Sequence, residues 1–229
     1  MITARSVAVS IFCALLWTPL LHAQDLSRYR EFQFGMNLPT VAKQANVKQS
    51  AARAVHQRPA MIQELEWRPL HFPTASPQGD PVKNILFSFY NDELFRMVVN
   101  YDSDRTFGLT NDDMVRAISA SYGTATQPAA KMISFTSAQG YNESEKVVAR
   151  WEDSQYSFNL FRSSSQPRFG IVVFSKRLDA LARLAVVNAI RLDEREAPQR
   201  EIERQKKEAQ ENRAAEEKAR LANKANFRP

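Results

Sequence analysis

Two blocks of strict alternation dominate the hydrophobic pattern of this chain. In the first, Ile85, Phe87 and Phe89 alternate with Asn84, Leu86, Ser88 and Tyr90. After Asn91 and Asp92, the residues Phe95, Met97, Val99 and Tyr101 alternate with Leu94, Arg96, Val98 and Asn100. A period of two read on both sides of a two-residue turn predicts an antiparallel hairpin over 82–101. In the second block Val147, Ala149 and Trp151, then Tyr156, Phe158 and Leu160, then Phe169, Ile171 and Val173 predict a three-stranded meander with turns at 152–155 and 163–167. A further strand is predicted over Ile62–Leu70, before the Pro-, Ser- and Gly-bearing loop of 72–81, and a short one over Lys131–Thr136.

Helical spacing precedes each block. Asn37 opens a helix with Leu38, Val41 and Ala42 on one face, and the pattern resumes over Gln49–Val55. Thr110 is the expected N-cap of a second helix, with Asp113 three residues on as its capping-box partner and Met114, Val115, Ile118 and Tyr122 as its apolar face. Gly123 supplies the C-terminal stop. Helix then strands, twice, predicts an α+β fold: two antiparallel sheet units covered on one face by helix, forming one body over 24–175.

The spacing changes once more at its C-terminal end. Leu178, Leu181, Ala182, Ala185, Val186, Ala189 and Ile190 recur at three and four, the stripe of a packing helix over 176–190. From Arg191 to Pro229 eleven Lys or Arg and nine Asp or Glu fall in 39 residues, with Leu192, Ile202, Leu221 and Phe227 as the large apolar side chains. Such a stretch cannot bury a core. Glu196 with Arg200, Glu203 with Lys207 and Glu216 with Arg220 are acid-first pairs four apart, which favours a charged helical or partly disordered tail. No heptad of apolar positions is sustained there, and Pro198 predicts a kink or break.

The first residues carry Arg5, an apolar run from Val7 to Trp17, and Leu21, His22 and Ala23 ahead of Gln24. This is the order of a secretory signal peptide over 1–23 with cleavage after Ala23. The stretch is shorter than the roughly 20 apolar residues that span a bilayer, so no transmembrane segment is expected after cleavage. The single cysteine, Cys13, lies in this leader behind Phe12, which disfavours a lipid anchor and leaves 206 residues with no disulfide or thiolate chemistry. The remaining 30 basic and 25 acidic residues give a net charge of +5, suited to anionic envelope polymers; nucleic acid is not an expected partner of an exported chain.

Phe34, Gly35, Met36, Asn37 and Leu38 before a helix, the hairpin ending in Tyr101 and Asp102, and the helix from Asp112, Asp113 and Met114 to Ser121, Tyr122 and Gly123 resemble exported bacterial proteins of uncharacterised role. More distantly, the helix-then-meander layout is similar to that of β-lactamase inhibitor proteins and small outer-membrane assembly lipoproteins. The resemblance covers about residues 32–175; it implies a binding module and names no catalytic residue. The missing lipid-attachment cysteine and the long charged arm depart from the lipoprotein pattern.

Candidate chemistry is sparse. Asp102, Asp104 and Thr106 supply oxygen at positions 1, 3 and 5 of a calcium-type loop and Asp113 falls at position 12, but Phe107 occupies the position where such loops need glycine. An ordinary strand-to-helix connection explains the same residues. His56 and His71 belong to no metal or nucleophile motif, and Ser163, Ser164 and Ser165 lack the glycines of a nucleophile elbow. Asp112 with Asp113 suits a helix start, and Glu152 with Asp153 suits a hairpin turn. Trp67 and Trp151 read as sheet-packing residues before sugar platforms. The expectation is a non-catalytic periplasmic binding or scaffold protein without a cofactor, acting on an envelope protein or a cell-wall polymer. The alternative is an envelope hydrolase.

Overall fold

The structure is a computed structural model that describes residues 25–69, 79–125, 127–128, 132–136, 142–163, 168–226 and 228. The expected leader with Ala23, and His71, Ser164 and Ser165, lie outside the described residues. A small hairpin, β1 (Arg28–Tyr29) and β2 (Phe32–Gln33), leads into α1 (Leu38–Gln44) and then β3 (Arg53–His56), β4 (Ile62–Trp67), β5 (Val82–Tyr90) and β6 (Glu93–Tyr101). The second unit holds α2 (Ser103–Thr106), α3 (Asn111–Tyr122), β7 (Gln127–Pro128), β8 (Met132–Thr136), β9 (Asn142–Glu152), β10 (Tyr156–Arg162) and β11 (Phe169–Ser175), followed by α4 (Lys176–Asn226).

Among the described residues the main sheet is antiparallel in the order β3-β4-β5-β6-β11-β10-β9-β7, with β8 on the far end of β9. The last strand of each meander meets the other at the centre, where Gly170 faces Asn100, Ile171 faces Val99 and Val173 faces Met97. The α+β class and the two-unit layout expected from the pattern are both present.

One face of the sheet carries Leu65, Ile85, Phe87, Met97, Val99, Trp151, Phe158, Leu160, Ile171 and Val173, all at most 1% exposed. The β1–β2 hairpin, α1 and α3 close over it through Phe32, Leu38, Val41, Met114 and Ile118. Local chemistry fixes these helices. Asn37 accepts from the Thr40 N–H at 3.0 Å and Asp92 accepts from the Leu38 N–H at 3.0 Å. Asp92 can reach α1 because it and Asn91 turn the β5–β6 hairpin with φ of 71° and 47°, values that Asn and Asp tolerate better than other non-glycine residues. At α3 the Thr110–Asp113 capping box is complete, and Gly123 follows at φ 77°. Trp151 is fully buried and donates its indole N–H to the Gly123 carbonyl at 2.7 Å, tying the stop of α3 to the sheet.

Two β-bulges correct the simple alternation. Phe89 pairs with Leu94 while Ser88 pairs with Arg96, so Phe95 is the extra residue. Leu94 therefore takes the core position that alternation assigned to Phe95, and Phe95 joins Ala60, Ile62, Leu178 and Ala182 on the opposite face. In the second unit Leu160 pairs with Ala149 but Phe161 pairs with Val147. Val147 accordingly leaves the face of Ala149 and Trp151 and packs with Leu86, Val98, Phe161 and Val172 under Ile133 and Phe135 of β8.

Three further expectations are revised. Gln49–Val55 is not a resumed helix: a single 3₁₀ turn at Gln49–Ala51 is followed by β3, whose register against β4 captures the backbone. The strand over 62–70 stops at Trp67. The helix after Ser175 runs to Asn226 without ending at Pro198, and at 1.5 Å per residue its 51 residues span about 76 Å. Arg200 donates to the Asp193 carbonyl at 3.1 Å and to its carboxylate at 2.9 Å, a link across the turn where proline removes a donor. No helix among the described residues is long and apolar enough to cross a membrane.

Candidate binding surface

Helix α4 lies against the second face of the sheet along a narrow stripe. Leu178, Ala182 and Ala185 are buried against Ala60, Ile62 and Phe95, and Ala189 is buried further along, whereas Leu181 and Ile190, expected on the same stripe, are 38% and 49% exposed. Three alanines make a thin apolar contact, and charge supplies the rest. Asp179, one turn into α4, accepts from Arg96 Nε at 2.9 Å and again from its Nη2, and Arg183 closes on the other carboxylate oxygen at 2.7 Å. The side chains of Arg96 and Asp179 are 12% and 7% exposed, so this pair has left water. Further along, Arg58 binds Glu196 with both guanidinium nitrogens at 3.0 and 2.6 Å, and this link holds the Glu196 carboxyl below the usual carboxylate range. His56 lies beside Arg58 in a cleft of about 170 Å³ between β3 and Asp193 of α4.

Beyond Glu196 the helix is exposed on every side. Its pairing departs in detail from the expected acid-first pairs: Arg200 does approach Glu196, at 4.0 Å, but Lys207 meets Glu211 and Arg220 meets Glu217. Arg204 and Gln205 both donate to Glu201 and push its carboxyl down to about 2.

At the connection between the two units, the residues considered as a calcium loop serve their own backbone. Asp102 caps α2 by accepting from the Asp104 N–H at 2.8 Å, and Thr106 donates its hydroxyl to the Asp102 carbonyl at 2.9 Å. The Asp113 carboxylate accepts from the Thr110 N–H at 2.9 Å and hydroxyl at 2.7 Å, which lowers its own affinity for a proton. Among the described residues no three His, Cys, Asp or Glu side chains converge as metal ligands. The same corner presents Phe107, 88% exposed, at the mouth of a cavity of about 590 Å³ formed with Leu109, Arg162 and Phe169. The Arg162 guanidinium lies 5.2 Å from the centroid of the buried Phe169 ring.

The other singled-out residues are structural. Asp153 accepts from the Gln155 and Tyr156 N–H groups at 2.7 and 2.6 Å in the β9–β10 turn, and Glu152 pairs with Lys176 at 3.0 Å. Ser163 donates to Glu145 at 2.9 Å. Trp67 packs at the margin of the main core. The hydrophobic pattern does not anticipate a cluster of phenols: Tyr29 and Tyr101 place their hydroxyls 3.4 Å apart, with Tyr122 stacked on Tyr29. Burial pushes all three phenols above their ordinary range, Tyr101 furthest, where the neighbouring Tyr29 adds to the effect. Arg30 seals the cluster through a two-bond link to Asp80 at 2.7 and 2.8 Å. The missed signal is long-range: Tyr29, Asp80, Tyr101 and Tyr122 stand in four separate segments.

No family model matches the chain, and no curated protein matches it. One solved structure that it resembles weakly is a cysteine-rich secretory protein from Staphylococcus aureus subsp. aureus Mu50. The identity is 8%, the TM-score 0.29, and the match covers 62% of this chain and 43% of the other, so the chain spans less than half of that protein.

Proposed function

We propose that this chain is a non-catalytic exported protein of the bacterial periplasm, in which the sheet head binds an envelope protein or cell-wall polymer and α4 acts as a spacer or docking arm. The observation that carries this reading is the mount of α4. A helix exposed all round beyond Glu196 buries no apolar surface, yet its root is held by a desolvated Arg96–Asp179 pair and a bidentate Arg58–Glu196 link. Such a mount serves an element whose position matters. The resemblance to exported binding modules and the leader-like sequence before Gln24 point the same way. The hydrolase alternative needs a carboxylate free to act on a substrate, and Asp102, Asp113 and Asp153 are instead each taken up by backbone N–H groups.

Crosslinking in cells followed by recovery of the full-length chain and of a chain stopped at Arg191 tests the reading. A defined envelope partner recovered with both makes the head the binder and the arm a spacer; recovery with the full-length chain alone makes the arm the docking element. No partner with either chain, together with turnover of a cell-wall substrate by the purified protein, would reject it.

A further inference from the structure

The α2–α3 corner is built to hold still and yet it presents a phenylalanine to water. Asp102 caps α2, the Thr106 hydroxyl ties that turn to its start, and the Thr110–Asp113 box fixes the first turn of α3. Between them Gly108 sits at φ 80°, a conformation that admits glycine without strain. Phe107 is 88% exposed on this frame and Leu109 is 39% exposed beside it. A solvated aromatic on a mobile loop is common; on a preorganised corner it is what an interface anchor looks like.

The cavity beside it has the matching chemistry. Its volume of about 590 Å³ lies within the roughly 300–1,000 Å³ of ordinary ligand sites. The buried Phe169 ring lines it, with the exposed guanidinium of Arg162 over the ring, 5.2 Å from its centroid. Among the described residues no carboxylate pairs with Arg162, in contrast to Arg30, Arg58 and Arg96. An exposed guanidinium with no such partner offers N–H donors that bind a carboxylate through two hydrogen bonds.

We propose that this corner is the docking site for a segment of a partner protein that carries Asp or Glu next to a large apolar side chain. The carboxylate pairs with Arg162, and the apolar side chain enters the cavity against Phe107 and Leu109. Arg162 and Phe107 are exposed, so their replacement is expected to leave the head folded. The proposal rests on the binding reading above and narrows it to one surface.

The test is a ¹H–¹⁵N titration of the chain from Gln24 with acetyl-Leu-Glu-Leu-amide and with its Gln analogue. The expected result is shifts confined to residues 106–112, 162 and 169, with affinity falling about five-fold or more for the Gln analogue, for Arg162→Gln and for Phe107→Ala. Circular dichroism of both variants should match the parent. Absence of localised shifts, or equal affinity for the Gln peptide, overturns the site. A photocrosslinking residue placed elsewhere on the head, in the double variant R162Q/F107A, separates the two levels. Loss of its in-cell crosslinks supports the corner; crosslinks that persist remove the corner and leave the binding reading standing.

Discussion

Replacing Asp179 by Ala removes the carboxylate that neutralises Arg96 where the latter is only 12% exposed. Breaking a buried pair from one side costs about 3–5 kcal/mol, because the remaining charge is left without compensation. Arg96 also lies 5.3 Å from the centre of the Phe95 ring, a cation–π contact that the parent makes as well and that offsets none of the loss. The expected loss is therefore about 3–5 kcal/mol. For a chain of this size about 1 kcal/mol moves the melting temperature by 2–4 °C, so D179A should melt roughly 6–20 °C lower by calorimetry, with a matching fall in the urea midpoint at unchanged slope. Arg183 binds the same carboxylate but is 52% exposed. R183A should therefore cost no more than about 0.5 kcal/mol. The double variant R96M/D179L replaces the pair by apolar volume and should recover most of the loss. A D179A loss below about 1 kcal/mol, or an equal loss in R183A, would refute the claim that a desolvated pair roots α4.

Gly170 sits at the central seam, where an added Cβ would run into the Phe161 ring and lie 2.9 Å from the Val99 carbonyl; G170A should destabilise the head by about 1–3 kcal/mol in urea titration. The phenol of Tyr101 titrates above its ordinary value of 10.0 in the fold, because burial disfavours its charged form. The unfolded chain releases that proton first, so stability is intact below pH 10.0 and falls as pH rises beyond it; melting curves between pH 9 and 11 should show a smaller alkaline loss in Y101F. Glu201 has the opposite sign. Its carboxyl is held at about 2 in the helix against 4.5 unperturbed, so its support for the arm is present above pH 4.5 and lost as pH falls toward 2. In R204A the Glu201 carboxyl loses its main partner, so the loss of helical circular dichroism between pH 4.5 and 2 should be smaller than in the parent.

The fold is legible in the sequence where local rules act alone. Alternation finds the strands of both meanders, and the Thr110, Asp113 and Gly123 signals bound α3 to the residue. Alternation fails at Phe95 and Val147 because a bulge is a property of a strand pair, and one sequence read along itself does not show where the partner slips. Periodicity places α4 but overestimates its buried face: Leu181 and Ile190 satisfy the spacing, yet the sheet offers only a strip wide enough for alanines. Pro198 signals a break through its intrinsic cost, which Arg200 spans from the next turn. The ion-pair root and the phenol cluster join residues far apart in sequence, such as Arg96 with Asp179 and Tyr29 with Tyr101, and charge or aromaticity carries no address. Phe107 stands out in the sequence only as the wrong residue for a calcium loop; its exposure depends on the corner shaped by Gly108 and two helix caps.

The central claim is that α4 runs as one continuous helix from its root past Pro198 into the arm. Double electron–electron resonance between spin labels at R191C and A219C, in the chain from Gln24, measures this directly. Twenty-eight residues of uninterrupted helix place the two backbone sites about 42 Å apart, and a single narrow distribution near that distance is predicted, broadening little when Arg200 is kept and more in R200A. A broad distribution centred well below that distance in the parent chain would mean that the helix breaks at Pro198, and the account of a mounted arm would fall with it.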